Sequence, residues 1–339
     1  MHSSGMEPSR LDHRQSGGRS PDAVLLADVG GTKARFAWLV AGRLGEVTSL
    51  SVAEYSGFED ALGAFMSSRP EGAAIGDALL AVAGPVQDRS VTLTNSGWYI
   101  DADDLCRQFG FERVELINDH AALALSLPHF TSADVRPLGQ GHPRPDAPAA
   151  VVGPGTGLGV AALIHKGGLE GVLQTEGGHV TFAGADRRED AVIQFLRDRT
   201  RHVSAERILS GPGLVNLYEA ISAVDGLIGP PRTASEITAA AVARSCPLSQ
   251  ATLSMFSAML GTFAGNVALT FGARGGVYIA GGIAPKIADY LSRSPFRDRF
   301  EAKGRFRSYL AAVPSYVITR QDPAFAGLQA CCAPRSSSP

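Results

Sequence analysis

Asn118 and Asp119 stand where an apolar run, residues 114–117, gives way to the helix-like stretch AALALSL. An aspartate at the end of a strand can take the proton of a hydroxyl as that oxygen attacks a phosphoryl group. Either residue could equally serve as a helix N-cap, a favoured place for Asn and Asp. Further on, TEGGHV sets Glu176 and His179 around two glycines, and SAERILSGPG places Glu206 before another glycine turn. Carboxylate and imidazole groups beside close-approaching backbone suit a polyhydroxylated ligand. A surface turn and a half-built metal site are the other readings, but no third ligand sits at metal spacing. Asn95, in TNSGW, is a further polar candidate that could touch a substrate or only stabilise a turn.

Two glycine-rich turns, DVGGT (Asp28, Gly30, Gly31, Thr32) and GPGTGLG (Gly155, Thr156, Gly157), each separate two apolar runs. Exposed N–H groups there could cradle phosphate oxygens, with glycine permitting the required φ angles and close approach. Asp28 could hold hydrated Mg²⁺, which prefers few carboxylates plus water. Each turn alone reads equally well as a hairpin. A third glycine junction, Gly281-Gly282 in AGGIAP, could admit an adenine ring or form a plain connection. The Walker pattern G-x-x-x-x-G-K-[ST] is absent, and Leu158 stands where the Rossmann fingerprint from Gly153 needs its last glycine.

These residues sit in a chain of 339 residues, 45% hydrophobic, with a formal charge of −2. It is long enough for two ordinary domains and has no basic field to draw nucleic acid. Cys106, Cys246, Cys331 and Cys332 form no C-x-x-C pair, which fits a reducing, cytoplasmic setting. No uninterrupted apolar run reaches the ~18 residues of a membrane span. Residues 1–20 are polar and read as a disordered tail, with Met6 an alternative start; the terminal APRSSSP reads as frayed.

Strands are expected at residues 23–27, 34–40, 47–55, 78–82, 114–117, 149–152, 159–164, 277–280 and 317–319. Ser56 and Glu59 form the S-x-x-E pattern of a capping box. Asp101 and Ser235 are read as N-caps for helices at 103–109 and from 236. Further helices are expected at 190–200, 214–223, 253–270 and from Pro285, the third long and buried. Residues 131–149, rich in Pro and Gly, read as a linker or surface loop. Setting Thr156 under Thr32 aligns Gly155 with Gly31, so the two halves look built alike, in an α/β architecture with ligands at strand C-termini.

In order, DVGGT, TNSGW, LIND, GPGTGLG, EGGHV, SAERILSGPGLVNLYEAI and GGVYIAGGI resemble the bacterial glucokinase family, in the superfold of sugar kinases, actin and heat-shock ATPases. The resemblance runs from about Val24 to about Gly327. It implies a two-domain actin-like ATPase (ribonuclease H-like) fold with a central cleft, divided as 21–129 with 320–339 and 130–319. It implies Asp119 as base toward the 6-hydroxyl of glucose, with Asn118, Glu176, His179, Glu206 and Asn95 holding sugar hydroxyls. Asp28, Gly30, Gly31 and Thr32 match a first phosphate segment; Gly155, Thr156 and Gly157 match a second; Gly281 and Gly282 match an adenosine segment. ATP and Mg²⁺ are the implied cofactors and a homodimer the implied assembly. Lys33 stands where this group usually has Asn, and His120 where it usually has Phe. The cysteine-rich zinc motif of the related repressor and open-reading-frame kinases is absent, which points to the non-zinc group. Rival readings are a kinase for another hexose or an N-acetylhexosamine, a sugar-sensing regulator without turnover, and a chaperone- or actin-type ATPase.

Overall fold

Alternating apolar residues on either side of the first glycine turn zip into an antiparallel hairpin in the computed structural model, which describes residues 23–69, 75–93, 96–166 and 169–332. The expected N-terminal tail, the terminal APRSSSP and Asn95 lie outside the described residues. By their contacts the described residues divide into two units, one comprising those up to Ile117 with residues 169–171 and Cys332, the other Asn118–Lys166 and Val172–Cys331.

In the first unit β1 (Ala23–Val29) pairs antiparallel with β2 (Lys33–Val40) and parallel with β5 (Ile75–Val82). β3 (Arg43–Leu44), β4 (Thr48–Ser51) and β8 (Arg113–Asn118) complete this sheet, and β6 (Ser90–Thr92) pairs with β7 (Tyr99–Asp101) separately. α1 (Phe58–Met66) and α2 (Ala102–Phe109) contribute to the core. There Phe36 and Trp38 of β2 stack on Phe65 of α1 at centroid distances of 5.2 and 5.5 Å.

The second unit repeats the plan. β10 (Ala149–Pro154) pairs antiparallel with β11 (Leu158–Lys166) and parallel with β13 (Gly276–Ile279), as β1 does with β2 and β5. This bears out the expectation of similarly built halves. β12 (Leu169–Thr175), β14 (Ser315–Ile318) and β9 (Val135–Pro137) extend the sheet. The helices are α3 (Asp119–Ser126), α4 (Arg187–Thr200), α5 (Gly211–Asp225), α6 (Ala234–Val242), α7 (Pro247–Phe271), α8 (Ala288–Leu291), α9 (Phe296–Glu301), α10 (Arg307–Ala311) and α11 (Ala324–Cys332). α7 has the length and composition to cross a membrane, yet 78% of its apolar window is buried, as the core helix of this unit. α11 crosses α3 where Gly327 meets Ala122: a Cβ on Gly327 would lie 2.1 Å from the Ala122 carbonyl oxygen. Buried Ser126 ties the crossing, donating to Pro323 O at 2.8 Å and accepting from Gly327 N at 2.9 Å.

Several local expectations are corrected. Ser56 and Glu59 form no capping box; Gly57 is the N-cap, and the Ser56 hydroxyl bonds Asp60 instead. The cap of α6 is Thr233, not Ser235, because Thr233 and Glu236 satisfy each other's N–H groups in a true capping box. The expected strand 47–55 is strand only at 48–51, then a 3-10 turn at Val52–Glu54. The supposed linker 131–149 contains β9, which pairs with β14 across a long sequence separation that local pattern does not reveal. The hairpin of β6 and β7, strand β12 and helix α11 were not expected.

Candidate active site

At the end of β8, Asn118 is the N-cap of α3: its Oδ1 accepts from His120 N at 3.0 Å and from Ala121 N at 3.2 Å. The cap role therefore falls to Asn118 and leaves Asp119 for other work. Asp119 Oδ1 accepts from His120 N at 2.8 Å and lies 2.9 Å from His120 Nδ1. The Asp119 side chain is 26% exposed.

α3 packs on β10 and β11, and hence beside the second glycine turn. That turn is closed by Gly155 N donating to Gly157 O at 2.8 Å, with Thr156 exposed at its tip. Neither Gly155 nor Gly157 adopts a positive φ, and neither Gly30 nor Gly31 does in the first turn. At Gly157 the missing Cβ serves close approach, whereas a Cβ on Gly30 or Gly155 would make only an ordinary contact at 3.7 Å. A Cβ on Gly157 would sit 2.5 Å from Glu206 Oε2, which accepts from Leu158 N at 3.0 Å. Glu206 is thus half-buried and tied to the turn, not a solvated surface carboxylate.

The EGGH segment is bound into the same assembly. Glu206 N donates to Gly178 O at 2.9 Å, and a Cβ on Gly178 would approach Leu158 O to 2.0 Å. The sequence reading expected these glycines to admit a ligand; at Gly178 the approaching group is the protein's own backbone. Glu176 and His179 flank the 3-10 turn Gly177–His179 with side chains 67% and 59% exposed, and their closest charged atoms are 3.8 Å apart. At that distance and exposure they form no strong pair, so both are available to a ligand.

Two further segments border the turn. Gly211 N, at the start of α5, donates to Gly155 O at 2.8 Å. The positive end of a 15-residue helix therefore faces the turn, which favours an anion there. Ser210 and Gly211 were not singled out among the candidate residues of the sequence, although a serine before Gly-Pro-Gly is a recognisable cap, and Ser210 caps α5. On the other side Gly281 takes φ +79° and packs against Pro154, where a Cβ would meet the carbonyl oxygen at 2.3 Å. Gly282 beside it faces open space, with nothing within 4 Å of an added Cβ.

The second unit thus brings together Asn118, Asp119, Gly155, Thr156, Gly157, Glu176, His179, Glu206, Gly281 and Gly282. The first unit holds Asp28, Gly30, Gly31 and Thr32 on its own hairpin. Gly30 N donates to Lys33 O at 2.9 Å, and Thr32 O accepts from Val52 N at 3.1 Å. Asp28 Oδ2 accepts from Arg35 Nη1 at 3.0 Å across the β1–β2 register. Among the described residues no three acidic, imidazole or thiol groups converge as a metal cage. A cavity of about 560 Å³ lined by Thr181, Phe182, Gly184, Asp190 and Arg197 along α4 includes none of these residues.

Comparison with known proteins places the whole chain in a family. The chain is 46% identical over 309 residues to a glucokinase of Paramagnetospirillum magneticum, covering 90% of this chain and 96% of that protein. It is 42% identical over 312 residues to a glucokinase of Nitrobacter hamburgensis, covering 92% and 98%. A crystal structure of glucokinase from an Antarctic psychrotroph superposes with a TM-score of 0.82 at 35% identity, covering 92% of this chain and 98% of that one. The fold is the actin-like ATPase fold of these sugar kinases. With the glucokinase family model matching residues 25–335, nearly the whole described chain, the protein belongs to the glucokinase family.

Proposed function

We propose that this protein transfers the γ-phosphoryl group of ATP to the 6-hydroxyl of D-glucose, giving glucose 6-phosphate and ADP. Family membership supports the reaction. The observation that carries the site assignment is the backbone ring joining the second glycine turn, Gly178 and Glu206. It fuses a segment suited to phosphate with a set suited to sugar hydroxyls. A carboxylate beside phosphate would repel it, so Glu206 turns its remaining oxygen to hydroxyl donors, together with Glu176, His179, Asn118 and Asn95.

In this reading Asp119 accepts the 6-hydroxyl proton as the oxygen attacks the γ-phosphorus and the bond to the ADP oxygen breaks. Residues 155–157, with the N-terminus of α5, offer backbone N–H groups that stabilise phosphate charge, and residues 28–32 of the first unit offer a second turn of the same kind. Gly282 leaves room for the adenosine. Mg²⁺ characteristically keeps several waters and takes one or two carboxylates plus phosphate oxygens. Asp28, with Oδ2 engaged by Arg35, suits contact with it through water, and the ion would neutralise charge on the phosphates. The protein acts as a cytoplasmic homodimer without nucleic-acid or membrane partners.

Initial rates with glucose, fructose, mannose and N-acetylglucosamine, each with ATP and with polyphosphate, test the substrate assignment. Glucose with ATP is expected to dominate; a higher kcat/KM for another pair would replace it. Asp119→Asn is expected to lose at least about 100-fold in turnover while keeping glucose affinity. Near-normal turnover in that variant would remove Asp119 as the base.

A further inference from the structure

The imidazole of His120 lies in a slot made by two glycines on adjacent strands. Gly153 of β10 and Gly159 of β11 are cross-strand partners. A Cβ on Gly153 would stand 2.2 Å from His120 Nε2, and one on Gly159 would stand 2.0 Å from Cε1 and 2.1 Å from Nδ1. Any other residue at either position would therefore expel the ring. Glycine in a strand interior weakens the strand, so a paired deletion of side chains at this point demands a compensating role. The ring it admits bonds Asp119.

Asp119 carries two oxygens in different surroundings. Oδ1 accepts from the His120 backbone N–H at 2.8 Å and is 2.9 Å from Nδ1 of the same residue. A carboxylate only accepts, so the imidazole proton of this bond resides on Nδ1. Two donors converging on Oδ1 fix the rotation of the carboxylate about its terminal torsion, which is otherwise broad and roughly two-fold. Oδ2 is left as the oxygen that can face a substrate hydroxyl, on a side chain 26% exposed. The imidazole side chain is only 16% exposed, so the slot limits its movement.

Resting on the kinase reading of Asp119, we propose that His120 is a positioning residue. Held by Gly153 and Gly159, it clamps Asp119 Oδ1 so that Oδ2 alone presents itself to the 6-hydroxyl. His120 touches no reacting atom in this scheme; it acts through Asp119. The slot also couples the base mechanically to β10 and β11, whose connecting turn is proposed to hold phosphate. Base and phosphate turn are then anchored to the same hairpin, the base through the His120 ring, as near-attack geometry requires.

The test compares His120→Phe, which keeps a ring without a donor, with His120→Asn, whose Nδ2 can stand where Nδ1 stood. Single-turnover phosphorylation of glucose is expected to slow roughly tenfold in His120→Phe, with glucose KM within about twofold of the parent, and to recover most of that loss in His120→Asn. Gly159→Ala is expected to match His120→Phe, and adding Gly159→Ala to His120→Ala to cause no further slowing, because the collision has gone. Should His120→Phe not fold, His120→Leu takes its place, since it also lacks a donor and is smaller than the ring. A donorless variant with parental single-turnover rate, or His120→Asn as slow as His120→Phe, would overturn the clamp. If Asp119→Asn itself turned over normally, the kinase reading would fall and this inference with it. An inactive Asp119→Asn beside a fully active His120→Phe would remove the clamp alone.

Discussion

Gly178→Ala tests the backbone ring at the centre of the site. The added Cβ would lie 2.0 Å from Leu158 O, 3.0 Å from Leu158 C and 3.2 Å from Leu158 Cβ. The nearest atom is a carbonyl oxygen in the first residue of β11, not the end of a flexible side chain. To regain ordinary contact the two backbones must part by about 1.4 Å, and overpacking of this kind typically costs about 1–3 kcal/mol. The displacement cannot stay local. Gly178 O accepts from Glu206 N, and Glu206 Oε2 accepts from Leu158 N. Moving Gly178 therefore drags Glu206 from the turn or breaks one of these bonds. A misplacement of about 1 Å can cost ~100-fold in rate, so kcat/KM for glucose is expected to fall by roughly that factor. Gly177→Ala is the control: its Cβ would be no closer than 3.1 Å, to Val160 Cβ, a contact a small shift relieves. Coupled-assay kinetics give the activity, and urea unfolding gives the stability. Parental kcat/KM and stability in Gly178→Ala, or equal damage in Gly177→Ala, would refute the reasoning.

Three other outcomes follow from the structure. A Cβ on Gly282 would meet no protein atom within 4 Å, so the unfolding midpoint of Gly282→Ala should stay parental while KM for ATP rises several-fold; an unchanged KM would take the adenosine away from Gly282. Glu189, 3% exposed, makes a two-pronged pair with Arg299 at 2.7 and 2.9 Å and accepts from Ala185 N at 2.8 Å. Among the described residues Glu189→Ala leaves that guanidinium only Asp186 Oδ2, at 3.9 Å, and the Ala185 N–H without its acceptor, and should cost about 3 kcal/mol in urea unfolding, a loss below about 1 kcal/mol contradicting the assignment. Asp101 caps α2, and the backbone N–H of Asp104, then that of Asp103, hold its carboxyl below the ordinary aspartate range. Asp101→Ala should cost about 1 kcal/mol at neutral pH. Because the folded pKa is the lower one, that contribution is complete above the unfolded pKa and fades as pH falls through the folded value. A parent–variant difference that grew on acidification would reverse the sign and refute the cap.

The two hairpins and most long helices were legible because their signal is local. Period-two alternation around DVGGT and GPGTGLG, and long apolar stretches such as that of α7, are written in consecutive residues. Caps were legible only in part. Ser56 and Glu59 match the box pattern, yet Gly57 caps α1, because a side-chain cap competes with every other partner its hydroxyl can reach. β9 stayed hidden in a Pro- and Gly-rich stretch, since its identity as a strand depends on β14, far along the chain.

The candidate site divides along the same line. Residue types alone determined which groups could do the chemistry: an acid after an apolar strand, glycine turns fit for phosphate, and a Glu, His and Glu set fit for hydroxyls. Their order along the chain carried the family. Which partner each group holds was decided only by tertiary structure. Asn118 became the cap and released Asp119, Glu206 was bound to the second glycine turn, and Gly178 turned out to serve the protein's own backbone. Gly153 and Gly159 flank Thr156 symmetrically in the sequence, but nothing there says that a histidine ring from another element fills the space between them. The physical reason is one of range. Strand alternation and helix periodicity act over a few residues, whereas a close approach between backbones is a property of two segments at once, and it exists only when the fold has brought them together.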